Sequence, residues 1–261
     1  MSSTNKLHEE KTDPQQLKET LALACRILGT EGHDDLNLGH LSARAKDQAG
    51  LMYMKGRGLC LSEVRAKDLV TIDFDYKKVA GQRDAHGELP IHIEIYRKRT
   101  DVNCVVHTHP LYATAFSATG QRLRPVNNES VLFAKPLPYF DRVTDLVVTR
   151  ALGGALAAEL GEEKAIFMKN HGIVVVGETI EQATVRAFLL EKAVKTLFVA
   201  KVFGEPGWTD DEEADRKAQR IFTEPKTKAM WAALVRQLEY KEAPLRILTL
   251  LEEQMAKSQL R

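Results

Sequence analysis

The sequence predicts one α/β domain built on a mixed or antiparallel sheet. Three observations predict it. Short apolar runs of strand length recur, among them residues 68–73 (DLVTID) and 102–108 (VNCVVHT). Amphipathic stretches of helical length lie between them, such as residues 16–28 (QLKETLALACRIL). Turn signals between neighbouring strands, at Gly56, Gly58 and residues 75–81, point to hairpins among the helices.

Residues 1–15 are polar and charged and are expected to be a flexible lead-in. Residues 16–28 carry apolar side chains at helical spacing, with Gly32 just beyond. Residues 36–44 and 51–55 read as short strands, 68–73 as a further strand, and 75–81 as the turn and return of a hairpin. Residues 89–98 read as a helix, with Pro90 tolerated in its first turn. Residues 102–108 form a strand stopped by Pro110, and 111–119 a helix. The Pro-rich stretch 125–139 is expected to be irregular around a short strand. Residues 145–160 read as helical. Two β-rich pieces, 165–168 and 172–176, flank Asn170-His171. A long helix is expected over 179–203, opened by Thr179-x-x-Gln182, a variant of the capping box. The charged remainder, 210–261, reads as a helical C-terminal arm.

The balance of 37 basic and 36 acidic residues, net +1, argues against nucleic acid or an anionic membrane as partner. A small-molecule partner fits better. Cys25, Cys60 and Cys104 are an odd number without a CxxC pair, which fits a reducing compartment. There is no apolar h-region at the N-terminus and no apolar run long enough to span a membrane, so a cytoplasmic protein is expected.

The chemistry concentrates in His107-Thr108-His109. On a strand, side chains at i and i+2 share a face, so both imidazoles emerge together, about 6–7 Å apart along the strand. Such a pair can chelate a divalent metal. It equally suits two polar residues bonded to backbone. Asn170-His171-Gly172 sits between two apolar strands, where a turn would point His171 into a cleft or leave it an ordinary turn residue. Glu88 precedes the helix at 89–98, either as a functional carboxylate or as an acid favoured by the helix dipole.

Taken together these residues carry a resemblance. Asn37-x-x-His40-x-Ser42-x-Arg44, Gly87-Glu88-x-x-x-His92, Val106-His107-Thr108-His109-Pro110 and Asn170-His171-Gly172 occur in order, followed by Gly177 and Glu181-x-x-x-x-Arg186. The pattern is similar to the class II aldolase/adducin family over roughly residues 17–204. The resemblance implies a three-layer α/β/α domain around a mainly antiparallel sheet, with residues 16–209 as the catalytic domain. It implies a divalent ion on His107, His109 and His171, zinc first and Mn, Fe or Co as alternatives. It implies Glu88 as general acid/base and a homotetramer. Three neutral nitrogens leave the ion its full double charge and an open position, suited to stabilising the charge left when a carbon–carbon bond breaks.

The family's sugar-phosphate aldolases hold phosphate with an asparagine, a hydroxyl-Gly loop and a serine pair. At those positions this chain has His40, Lys55-Gly56-Arg57-Gly58 and His86-Gly87. The serines are gone and cations stand in the turn. A carboxylated, non-phosphorylated substrate is therefore expected, with Lys55, Arg57, His40 and His86 as binding residues. This resembles the branch that decarboxylates hydroxylated aromatic or pyridine dicarboxylic acids. Four functions compete: a lyase (decarboxylase or aldolase), a sugar-phosphate epimerase, an Fe(II) oxygenase, and a non-catalytic scaffold like an adducin head.

Overall fold

The computed structural model describes residues 13–45 and 48–259. Eight strands form one sheet: β1 (His40–Arg44), β2 (Leu51–Lys55), β3 (Leu69–Asp73), β4 (Lys78–Ala80), β5 (Cys104–Thr108), β6 (Tyr139–Phe140), β7 (Ala165–Met168) and β8 (Gly172–Gly177). Their order across the sheet is β4-β3-β2-β1-β5-β8-β7-β6. Every pairing is antiparallel except that of β6 with β7.

Strand alternation sorts the side chains into two cores. On one face Leu41, Ala43, Val106, Ile173 and Val175 pack with helices α1 (Pro14–Leu28) and α5 (Ile180–Phe203). On the other, Met52, Val70, Val105 and Val174 pack with α2 (Leu89–Lys98) and α4 (Arg150–Leu160). The fold is thus the expected α/β/α arrangement around a mainly antiparallel sheet. Helix α3 (Leu111–Ser117) follows β5 directly. Glu191 of α5 accepts hydrogen bonds from the Tyr112 and Ala113 N–H groups, 3.0 and 2.8 Å, and so caps α3 at its positive end. That contact fixes the β5–α3 junction, where His109 lies.

Four expectations shift. The strand predicted over 36–44 is confined to His40–Arg44. Leu36 has φ 49°, and residues before Gly39 turn instead of extending. The helix predicted over 145–160 begins at Arg150, because Thr149 Oγ1 accepts from the Leu152 N–H and caps it there. The irregular stretch 125–139 contains a 3-10 turn, Ser130–Phe133, and its strand comes at the very end as β6. The lead-in predicted over 1–15 lies outside the described residues up to position 12, and α1 starts at Pro14 with Asp13 as its cap.

The C-terminal part is helical, as α6 (Asp211–Ile221) and α7 (Glu224–Gln259). Leu234 and Leu238 of α7 are buried in the same core as α1 and α5. The first half of this segment therefore belongs to the domain's core.

Candidate metal centre

Antiparallel pairing of β1 with β5 sets His40 opposite His107. His109 follows just past the end of β5. The β7–β8 turn brings in the third imidazole. Asn170 takes φ 55° there, and the His171 N–H closes the turn on the Met168 carbonyl, 3.1 Å. Gly172 is required by its close neighbours. A Cβ on it would lie 2.5 Å from the Thr108 oxygen and 2.6 Å from His109 Cδ2. The Asn-His-Gly sequence thus presses His171 against the strand that carries the other two histidines.

One donor atom from each of His107, His109 and His171 lies within 4.8 Å of the others. Their hydrogen-bond partners fix where the ring hydrogens sit. His107 Nδ1 donates to the Ile173 carbonyl, 3.0 Å, and His109 Nδ1 donates to Asp35 Oδ2, 3.0 Å. In the neutral rings both Nε2 atoms are then bare, and they face each other across 3.1 Å. Two lone pairs so close repel unless a cation lies between or beside them. The donor set therefore fits a divalent ion.

Glu88 caps α2 by position, yet its side chain makes no capping bond. Its carboxylate turns inward instead, 3.4 Å from His107, 3.6 Å from His40 and 3.8 Å from His171. Oε1 accepts the Val147 N–H at 2.9 Å. Burial pushes the carboxyl upward, but the imidazoles of His107 and His40 outweigh it and hold the group well below the usual carboxylate range. The group is ionised at rest and acts first as an acceptor.

A cavity of about 550 Å³ opens in front of these groups, with Arg57, His86, His40 and Asp145 in its wall. Arg57 lies in that wall. Lys55 does not, and this corrects the expectation. It is fully buried, and its ammonium is spent on the carbonyls of Asn37 and Leu38, 3.1 and 3.0 Å, and on His86 Nε2 at 3.4 Å. Burial pushes it down to about 8. With all three N–H groups engaged, Lys55 shapes the loop before β1 and orients His86. A strand-end lysine followed by a glycine turn announces a charge, not a direction.

Sequence reasoning missed Asp35 and the segment around Val147. Asp35 lies 74 residues from the histidine it orients, and no local spacing signals such a pairing.

Burial keeps His33, His40, His86, His92, His109 and His171 neutral. It pushes His109 and His33 down to about 3 and His171 to about 4. Burial, aided by Lys55 and Arg57, takes His86 to about 3, and burial takes His40 and His92 well below their ordinary value. The unfolded chain titrates these groups near 6.5 and binds more protons below it. Their contribution to stability is therefore present above pH 6.5 and lost as pH falls through about 4 to 3. Denaturant titration of the metal-free protein should show stability falling steeply below pH 6. A flat profile from pH 7 to 4 would contradict this.

Comparison with known proteins agrees with the geometry. The profile described as "Class II Aldolase and Adducin N-terminal domain" matches residues 19–198. The chain is 33% identical over 193 residues to "Decarboxylase NovR" of Streptomyces niveus, covering 73% of this chain and 72% of that protein. It is 32% identical over 187 residues to "3,4-dihydroxyphthalate decarboxylase" of Arthrobacter keyseri, covering 67% and 74%. It is also 33% identical over 191 residues to "4-hydroxy-3-prenylphenylpyruvate oxygenase/4-hydroxy-3-prenylbenzoate synthase" of Streptomyces roseochromogenus subsp. oscitans, covering 72% and 69%. A solved "L-fuculose 1-phosphate aldolase from Glaciozyma antarctica PI12" shares the fold, with TM-score 0.79 at 24% identity, covering 94% of this chain and 95% of that one. Among the described residues no helix is long and apolar enough to cross a membrane.

Proposed function

Since the chain belongs to the class II aldolase and adducin family, we propose that it is a metal-dependent carbon–carbon lyase that decarboxylates a hydroxylated carboxylic acid. The observation that carries this reading is the convergence of donor atoms from His107, His109 and His171 within 4.8 Å of one another, with the Glu88 carboxylate 3.4 Å from His107. His107, His109 and His171 would hold the ion. Three imidazoles suit zinc best, with manganese, iron and cobalt as alternatives. The bound ion supplies Lewis-acid stabilisation of negative charge on a substrate oxygen.

The chain's own residues do the rest. Arg57 grips a substrate carboxylate in the cavity wall, and His40 and His86 line the same wall. Glu88 takes the proton of the substrate hydroxyl. The bond to the departing carboxylate then breaks, its electron pair stays on the substrate carbon, and carbon dioxide leaves. Glu88 returns the proton to that carbon. No oxidant or reductant is consumed.

The substrate class follows from chemistry as well as kinship. The cavity wall offers a guanidinium and imidazoles in place of serine hydroxyls, and a guanidinium matches a planar carboxylate bidentately. A hydroxylated aromatic dicarboxylic acid meets these demands, and the Arthrobacter relative is named for one. A screen for carbon dioxide release on such acids tests the reading, and turnover of sugar phosphates alone would contradict it. The oxygenase relative favours a second reading, and oxygen consumption during turnover would establish it in place of the first.

Arg57 is exposed in the free protein, so Arg57→Ala should cost about 0.2–1 kcal/mol of transition-state binding, the range for a solvent-exposed ion pair. On the true substrate kcat/KM is expected to fall by up to about fivefold. Unchanged kcat/KM would remove Arg57 from the site.

A cytoplasmic homotetramer completes the proposal. Leu111, Phe198, Val202 and Phe203 form an exposed apolar face on α3 and α5, which supports self-association. Light scattering should give the mass of four chains, and a monomer at micromolar concentration would contradict it.

A further inference from the structure

Behind Glu88 lies a string of buried polar groups. His40 Nδ1 is 2.7 Å from His92 Nε2, His92 Nδ1 is 2.7 Å from Ser42 Oγ, and Ser42 Oγ is 2.8 Å from Tyr96 Oη. Positions 40 and 42 share a face of β1, and positions 92 and 96 are one turn apart on α2, so the four side chains meet between sheet and helix. All four residues are at most 2% exposed.

Counting hydrogens gives the string a direction. Among the described residues Ser42 is the one hydrogen-bond partner of Tyr96 Oη that can accept its hydrogen. The phenol hydrogen therefore goes to Ser42, and Ser42 donates to His92 Nδ1. A neutral ring with a bare Nδ1 carries its hydrogen on Nε2, so His92 donates to His40 Nδ1. By the same rule His40 carries its hydrogen on Nε2, which lies 3.6 Å from the Glu88 carboxylate. Run the other way, the string leaves the buried Tyr96 hydroxyl without an acceptor among the described residues, a cost the forward direction avoids.

We propose that Tyr96, Ser42 and His92 are positioning residues that hold His40 as an Nε2–H donor facing Glu88 and the cavity, for a substrate oxyanion and not for the metal. The distinction matters. His40, Glu88 and His107 also bring donor atoms within 4.8 Å of one another and form a second trio able to hold an ion. A nitrogen that carries hydrogen is no ligand, so the string leaves the ion to His107, His109 and His171. Only the identity of the oxyanion rests on the decarboxylase reading.

The test reads ring nitrogens directly. The full chain, labelled with ¹⁵N in its histidine rings, is observed by long-range ¹H–¹⁵N correlation, metal-free and with zinc alone added. His40→Asn and His92→Asn assign the signals. His40 and His92 should both be neutral with hydrogen on Nε2 in both states, while His107, His109 and His171 respond to zinc. Ser42→Ala should release His92 and His40 from a single tautomer. Tyr96→Phe should loosen that preference as well, because without the phenol hydrogen Ser42 can accept from His92 Nδ1 as readily as donate to it. Hydrogen on His40 Nδ1, or loss of its Nε2 hydrogen on zinc addition, would overturn the proposal even if a variant fails to fold, since both are read on the unaltered chain. Carbon dioxide release with His40 protonated on Nδ1 contradicts this string alone. The predicted spectra without any carbon dioxide release contradict the decarboxylase reading alone.

Discussion

Glu88→Gln is expected to keep the fold and the metal while losing about 10²–10⁴-fold in kcat, the range for removal of a positioned acid/base. The amide is nearly the same size and can still accept the Val147 N–H through its oxygen. It cannot take a proton from a substrate hydroxyl. Metal content and thermal midpoint should change little, which separates loss of chemistry from loss of structure. Activity close to that of the unaltered protein would reduce Glu88 to a residue at a helix start, and the proton transfers assigned to it would fail.

His171→Ala should have the other large effect. It removes one of three nitrogens from a turn at the cavity edge, where the backbone bond from His171 to Met168 survives the change. Two imidazoles then remain, and zinc affinity should fall by more than about 100-fold, beyond the roughly 10–100-fold typical of losing an outer partner. Asp35→Asn provides the scale for that smaller effect. It leaves all three ligands and weakens only the hydrogen bond that orients His109. Competition against a chromophoric chelator measures both. Equal affinities for His171→Ala and the unaltered chain would remove His171 from the ion's ligands.

The parts of the site legible in the sequence were those carried by short-range geometry. His107 and His109 are neighbours on a strand, and the Asn-His-Gly turn joins two apolar runs, so local patterning sufficed to single them out. Glu88 could be singled out but not distinguished from a helix-start acid. The difference lies in the missing capping bond and the inward turn toward His107, both tertiary facts. Lys55 misled because its charge is visible and its direction is not: three acceptors from other segments draw it away from the cavity. Asp35 was out of reach because its partner is set by how the loop before β1 folds back on the β5–α3 junction.

The fold shows the same division. Strands and helices with clear periodicity appeared where expected, and the errors fell at ends governed by single interactions. Thr149 stops α4 from starting earlier, and of the residues before it Val147 and Val148 are β-branched and the Val147 N–H is spent on Glu88. The positive φ of Leu36 shortens β1. Neither feature is encoded in hydrophobic spacing.

The central claim is that an ion on His107, His109 and His171 drives release of carbon dioxide. It is tested most directly by stripping the protein with a chelator, restoring zinc in steps, and measuring carbon dioxide released from a hydroxylated aromatic dicarboxylic acid. Release should be absent from the stripped protein and rise with zinc to a plateau at one ion per chain. Undiminished release from the metal-free protein would contradict the account.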